Sequence, residues 1–113
     1  MRIAIVSDVH SNLEGLQAVL RHAEAGGPVD GVWCLGDIVG YGPEPSAVLA
    51  ELRRRPLVAV AGNHDLAACG RMGVEEFNRA AAEAALWSGE QLSEAERGYL
   101  RDLPLTAVSG AFT

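Results

Sequence analysis

Several classes of protein are excluded by what this sequence lacks. It contains two cysteines, Cys34 and Cys69, with no Cys-x-x-Cys pair and no Cys/His zinc spacing, which argues against a disulfide framework and a structural zinc site. No apolar stretch approaches the ~20 residues of a membrane span. The apolar run after Met1 is too short for a signal peptide. We therefore expect a cytoplasmic protein that makes no contact with a membrane.

Basic charge is also scarce. Nine Lys and Arg residues face fifteen Asp and Glu residues, which gives a net charge of −6 and argues against a nucleic-acid-binding surface. Repeats and low-complexity segments are absent. Hydrophobic residues make up 49% of the chain, enough for a packed core. A chain of 113 residues corresponds to one domain at most, or to part of one.

Short apolar runs alternate with helical patterns, and this order predicts an α/β fold. The first helix is expected to begin after Asn12 and to end at Gly26, and a second is expected over 44–54. Strand–helix–strand–helix–strand order indicates a parallel sheet with flanking helices, its strands buried on both faces. The predicted strands are 2–6, 31–35 and 57–61.

The rest of the chain reads as mostly helical. A helix is expected over about 78–86, and Ser93 with Glu96 fits a capping box at the start of another helix that runs to about Leu103. Residues 105–113 are apolar enough to begin a further strand.

Polar motifs directly follow each predicted strand. They are Asp8-Val9-His10, Gly36-Asp37 and Gly62-Asn63-His64-Asp65. The carboxyl ends of parallel strands meet at one edge of a sheet, where open α/β sheets bind ligands. Carboxylate, imidazole and amide oxygen groups together suit divalent metal ions. The sequence therefore predicts a metal site at this edge.

Each motif also has a simpler interpretation as a polar turn or a helix cap. In an extended segment Asp8 and His10 would point the same way, toward one ion. The two oxygens of Asp37 can bridge two cations, and Asn63 can bind through its amide oxygen. His64 would then point elsewhere, and Asp65 is a candidate helix cap. All three motifs together favour the metal site.

The three motifs, in this order, resemble the first three of the five motifs of the calcineurin-like metallophosphoesterases. The wider segments 7–12 and 35–42 are similar to a bacterial and archaeal subgroup of phosphodiesterases or phosphatases. The resemblance implies an α/β/β/α sandwich, of which residues 1–113 would be the amino-terminal portion of a single, incomplete domain. The first sheet and its helices would be present, and the sheet face that meets the second sheet would be exposed.

The resemblance also implies a dinuclear centre of Mn, Fe, Co, Ni or Zn that hydrolyses a phosphoester. Asp8 and His10 would hold the first ion, Asp37 would bridge both, and Asn63 would hold the second. Asn63 and His64 would be the catalytic residues. His64 would protonate the leaving oxygen or stabilise charge in the transition state.

The sequence departs from the family pattern in two places. Gly40 and Tyr41 replace an Asp and an Arg of the protein serine/threonine phosphatases, which favours a small phosphoester or nucleotide as substrate. Tyr41 follows the Asp37 loop and is therefore a candidate to line the site. The two later motifs, Gly-His and Gly-His-x-His, are absent, and no histidine follows His64. The isolated chain would leave both ions short of protein ligands.

Other interpretations stay open at this point. The sequence is also compatible with a truncated, non-catalytic remnant or a weak metal-binding module of the same fold. A homo-oligomer would be one way to complete the ligand set. Haloacid dehalogenase-like enzymes would need an aspartate where His10 stands, and a receiver domain would lack the pair Asn63-His64.

Overall fold

The computed structural model describes all 113 residues. The chain forms three strands and five helices, which are joined by loops. No helix is both long enough and apolar enough to cross a membrane. In chain order the elements are β1 (Ile3–Val6), α1 (Leu13–Ala25), β2 (Gly31–Cys34), α2 (Pro45–Arg53), β3 (Leu57–Ala59), α3 (Asn63–Ala68), α4 (Arg79–Gln91) and α5 (Glu94–Arg101).

The three strands form one parallel sheet in the order β1-β2-β3. Ile5 pairs with Trp33 and Trp33 with Val58, so these three side chains form a row on one face of the sheet. The alternate residues face α1 and α2. The prediction of a parallel α/β sheet with flanking helices is confirmed.

The hydrophobic core lies between the sheet and its helices. Leu20 of α1 and Leu49 and Leu52 of α2 are almost completely buried against Val32 and Cys34 of β2. Leu100 of α5 belongs to the same core. Burying a side chain of this size contributes about 1.5–3 kcal/mol, so the helices hold this face of the sheet firmly.

The opposite face of the sheet is open, and the prediction of strands buried on both faces is wrong for this chain. Ile5 is 60% exposed and Val58 is 40% exposed. Carboxyl-terminal residues fold back over only part of this face, where Phe112 contacts Trp33 at 5.7 Å between ring centroids. The strands are apolar on both sides, but helices cover one side alone. We call the uncovered side, with Ile5, Trp33, Leu35, Val58, Leu105 and Phe112, the open sheet face.

Most predicted helix ends are confirmed. The Asn12 side chain accepts a hydrogen bond from the Gly15 N–H at 2.9 Å and caps α1. Ser93 and Glu96 form the reciprocal bonds of a capping box at α5. The segment 105–113 forms no strand; its ladder is a single bridge between Ser109 and Phe112.

Helix α4 ends five residues later than predicted, at Gln91, and Gly89 lies within it. A Cβ atom at Gly89 would lie 2.4 Å from the carbonyl oxygen of Ala68, so this glycine allows α4 to pack closely on α3. The Arg97 guanidinium donates hydrogen bonds to the carbonyls of Gly89 and Leu92 at the end of α4. Tertiary packing thus outweighs the low helix propensity of glycine here.

Candidate metal centre

The loops after β1 and β2 lie side by side at the carboxyl edge of the sheet and extend its backbone hydrogen bonding. The Asp8 N–H donates to the Gly36 carbonyl at 3.0 Å, and the His10 N–H donates to the Asp37 carbonyl at 3.0 Å. The first two motifs are therefore fixed to each other by their backbones. The third motif approaches from the end of β3.

Side chains of Asp8, His10 and Asp37 converge at this edge. Their candidate ligand atoms all lie within 4.8 Å of one another. The Nε2 atom of His10 is 3.6 Å from Asp8 Oδ1 and 3.9 Å from Asp37 Oδ2. The structure therefore brings together three of the four predicted metal ligands.

The ring of His10 is oriented by a hydrogen bond on its far side. Its Nδ1 atom lies 3.0 Å from the carbonyl oxygen of Val39, and a carbonyl can only accept, so Nδ1 carries a proton. In the neutral ring the lone pair on Nε2 then faces the carboxylates of Asp8 and Asp37. Three electron-pair donors that face one another favour a cation between them, and the donor set fits a divalent transition metal ion.

The backbone of the site is strained in a way that the sequence did not indicate. Five non-glycine residues have φ between 47° and 58°, and all five lie in these two loops: Asp8, His10, Ser11, Asp37 and Tyr41. The extended conformation expected around Asp8 and His10 is wrong; their side chains converge from left-handed backbone instead. Such conformations cluster at functional sites, where surrounding contacts hold them.

Asn63 is the first residue of α3 and is exposed beside this cluster. Its role as a ligand stays a prediction. The N–H of the next residue, His64, donates to Asp37 Oδ1 at 3.1 Å, so the start of α3 is joined to the central carboxylate. The other oxygen of Asp37 faces His10.

Gly62 allows this close approach between the second and third motifs. A Cβ atom at Gly62 would lie 2.1 Å from Asp37 Oδ1 and 2.4 Å from the Asp37 nitrogen. No side chain can be accommodated at that distance without moving the loop. The glycine of the third motif therefore has a steric role in placing Asp37.

Asp65 does more than cap a helix. Its side chain is completely buried, with Oδ2 accepting from the Gly62 N–H at 3.0 Å and Oδ1 accepting from the Val39 N–H at 3.1 Å. Burial raises its pKa to about 6, although these backbone donors oppose the shift. Asp65 thereby links α3 to the residue whose carbonyl orients His10.

The ring of His64 lies between two aromatic rings. Its centroid is 4.9 Å from that of Tyr41 and 4.9 Å from that of Phe77, and it meets the ring of His10 edge-on at 4.9 Å. Burial lowers the pKa of His64, which favours the neutral imidazole. Tyr41 was predicted from the sequence to line the site, and the structure places it there. Phe77 was missed, because it lies in an irregular segment far from any motif.

The sequence of the chain matches a known family over nearly its whole length. The profile of the calcineurin-like phosphoesterases matches residues 1–111. The chain belongs to this family. The resemblance noted in the three motifs is thus confirmed for the chain as a whole.

Proteins of bacteria and archaea are similar to this chain in sequence. Uncharacterized protein MJ0912 of Methanocaldococcus jannaschii is 40% identical over 103 residues, which are 91% of this chain and 42% of that protein. The symmetrical bis(5'-nucleosyl)-tetraphosphatase of Pseudomonas syringae pv. syringae is 40% identical over 68 residues, 58% of this chain and 23% of that protein.

A metallophosphoesterase of Sphaerobacter thermophilus provides the structural comparison. Its crystal structure superposes on this chain with a TM-score of 0.79 at 46% identity, and covers 97% of this chain and 44% of that one. This agreement confirms the three-stranded α/β fold as that of a calcineurin-like phosphoesterase. The chain spans less than half the length of each of these relatives.

Proposed function

We propose that this chain carries the metal-binding half of a phosphoester hydrolase that acts on a small phosphoester such as a nucleotide. The convergence of Asp8, His10 and Asp37, in a calcineurin-like phosphoesterase, carries the proposal. Asp8 and His10 would hold one divalent ion of two, Asp37 would lie between both, and Asn63 would hold the second. Mn²⁺ is the ion we would test first among Mn, Fe, Co, Ni and Zn. A cytoplasmic location, expected from the sequence, is part of the proposal.

The protein groups have separate tasks in this scheme. When bound, divalent ions stabilise negative charge on phosphate oxygens and lower the pKa of water. Asp37 holds its place through the His64 N–H, and His10 holds its orientation through the Val39 carbonyl. His64 would donate a hydrogen bond or a proton to an oxygen of the substrate from its position beside His10. The tetraphosphatase relatives support a nucleotide as the class of substrate.

Metal binding without turnover is the second candidate function. One observation favours it: His10 is the one imidazole that faces the carboxylates, while His22 lies exposed on α1. A centre with two ions needs more ligands than Asp8, His10, Asp37 and Asn63 supply, because such ions take four or more each.

Isothermal titration with Mn²⁺, combined with hydrolysis of bis-p-nitrophenyl phosphate, separates the two functions. We expect the chain to bind Mn²⁺ and to hydrolyse the ester only with the ion present. Asp37→Asn should weaken binding by at least about tenfold and abolish turnover. Asp30→Asn is the control, because Asp30 accepts the Arg2 N–H at the opposite edge of the sheet. Binding without turnover would support the second function. A folded chain that binds none of the five metals would contradict both.

A further inference from the structure

Tyr41 differs from the other exposed aromatic residues because its ring belongs to the site. Its centroid is 5.1 Å from the ring of His10 and 4.9 Å from the ring of His64. The residue is nevertheless 54% exposed. One part of the ring packs against both histidines, and the remainder is open to solvent directly beside the carboxylates.

The backbone holds this ring in place. Tyr41 has φ of 58°, a conformation that tyrosine rarely adopts, and it lies between two glycines. A Cβ atom at Gly40 would lie 2.6 Å from His64 Nδ1, and one at Gly42 would lie 2.3 Å from the His10 carbonyl oxygen. The Gly42 N–H donates to that same carbonyl at 3.0 Å. The loop is therefore packed against both histidines, with Tyr41 at its exposed tip.

Basic side chains are not available for recognition of the substrate. The sequence contains no lysine. Every arginine except Arg21 hydrogen-bonds to or stacks on another group of this chain. Arg21 lies about 12 Å along α1 from its first residue, away from the edge that carries the site. Recognition of the substrate beyond the metal ligands therefore depends on uncharged groups. Among these groups, the Tyr41 ring is the exposed aromatic ring at the site.

We infer that Tyr41 is a specificity-determining residue, whose exposed ring stacks on a planar organic group of the phosphoester, such as a nucleobase. The inference rests on the proposed function and adds the contact that selects the organic part of the substrate. Bases stack on aromatic side chains with little dependence on base identity, because every base has a π-face. Tyr41 would thus favour base-bearing phosphoesters as a class.

Two ligands that differ only in the base test this inference. Adenosine 5'-monophosphate and ribose 5-phosphate share the sugar and the phosphate, and their dissociation constants can be measured by isothermal titration in the presence of Mn²⁺. We expect the complete chain to bind the nucleotide about fivefold to hundredfold more tightly, the range that stacking of one base supplies. Tyr41→Phe should keep this preference.

Tyr41→Asn removes the ring and keeps a residue type that tolerates left-handed backbone. We expect it to reduce the affinity for the nucleotide to that for ribose 5-phosphate, whose own affinity should not change. An equal loss for both ligands would indicate a purely structural role and would overturn the inference. A preference that survives in Tyr41→Asn would also overturn it.

Phe112→Leu is the matched control, because Phe112 is an exposed aromatic residue on the open sheet face. If this variant loses the preference and Tyr41→Asn keeps it, the base binds at the open sheet face and the inference is wrong. Failure of the proposed function has a different signature: ribose 5-phosphate would bind equally well without Mn²⁺ and in Asp37→Asn. Absence of binding of either ligand at millimolar concentration with Mn²⁺ would overturn both.

Discussion

Position 62 shows how a single hydrogen atom in place of a methyl group supports the site. Gly62→Ala would direct a Cβ atom onto the Asp37 carboxylate. We expect the free energy of unfolding to fall by about 1–3 kcal/mol through overpacking, and Mn²⁺ binding to weaken in parallel. Chemical denaturation and isothermal titration would measure the two effects.

Gly98→Ala is the matched control for that substitution. Gly98 lies in α5, and a Cβ atom there would meet nothing within 4 Å. Alanine should raise the free energy of unfolding by about 0.5–1 kcal/mol, because it has the higher helix propensity. Equal stability and equal metal affinity in Gly62→Ala and the parent chain would contradict the steric role of Gly62.

A buried thiol makes stability depend on alkaline pH. Burial and the nearby carboxylates raise the pKa of Cys34 to about 11, against 9.0 for an unperturbed thiol. Above pH 9 the unfolded chain loses this proton while the folded chain keeps it. The free energy of unfolding should therefore decline between pH 9 and 11, by about 3 kcal/mol from this group.

Urea denaturation at several pH values would measure that decline. Cys34→Ala should remove the part of the slope that comes from this thiol and leave the part that comes from Tyr99, whose pKa is also raised by burial. The same slope in both proteins would show that the thiol ionises freely in the folded state.

Residue types and their spacing were enough to predict that Asp8, His10 and Asp37 converge, but not their backbone conformations. Asp8, His10 and Asp37 follow predicted strands, so their convergence could be inferred from topology. Their left-handed backbone could not, because aspartate and histidine seldom adopt it and tertiary contacts impose it. Phe77 packs on His64 from an irregular segment, where no periodic pattern indicates a contact.

At the scale of elements, the capping box of α5 allows a direct test. The Ser93 hydroxyl accepts the Glu96 N–H at 3.1 Å, and the Glu96 carboxylate accepts the Ser93 N–H at 2.8 Å. Ser93→Ala should lower the free energy of unfolding by about 1 kcal/mol, and Ser93→Asp should restore most of it. Thermal denaturation of the three proteins would measure this. Equal loss in both variants would mean that the cap hydrogen bond does not stabilise α5.

Element boundaries were predicted well where local chemistry decides them. Asn12 and Ser93 cap helices as their side chains indicate, and the parallel order follows from alternation of strand and helix. The short α3 was not predicted as a separate helix, because its six residues are held by Asp65 and by packing on α4 and α5. The length of α4 depended on the approach of Gly89 to Ala68, which local sequence does not reveal.

At the scale of the whole molecule, the open sheet face predicts self-association of this chain. Val58, Leu105 and Phe112 are 40%, 61% and 67% exposed on this one surface. Contiguous apolar patches of this kind commonly mark interfaces. We expect the sedimentation coefficient to rise with protein concentration, and Val58→Lys to weaken association by about tenfold.

Leu86→Lys is the control for self-association. Leu86 is 53% exposed on α4, so this variant adds the same charge to a helix. It should leave the concentration dependence unchanged. Identical behaviour of the two lysine variants would show that the open sheet face is not where copies of the chain meet.

The sequence indicated correctly that the strands are apolar. The prediction that both of their faces are buried was wrong. Ile5 and Val58 have the composition of buried strands, and hydrophobicity alone does not tell whether a second layer is present. The resemblance to a two-sheet sandwich did indicate the exposure.

The five residues with left-handed backbone around the site lower the stability of the fold, while three of them carry the side chains of the candidate metal centre. Each of them costs about 1–2 kcal/mol relative to glycine, which adopts the same conformation freely. A library of variants selected only for heat resistance should therefore enrich glycine at Asp8, His10 and Asp37, and the survivors should no longer bind metal. Attempts to make this protein more robust would best be directed elsewhere, because thermostability gained in these loops would come at the expense of the metal binding proposed for them.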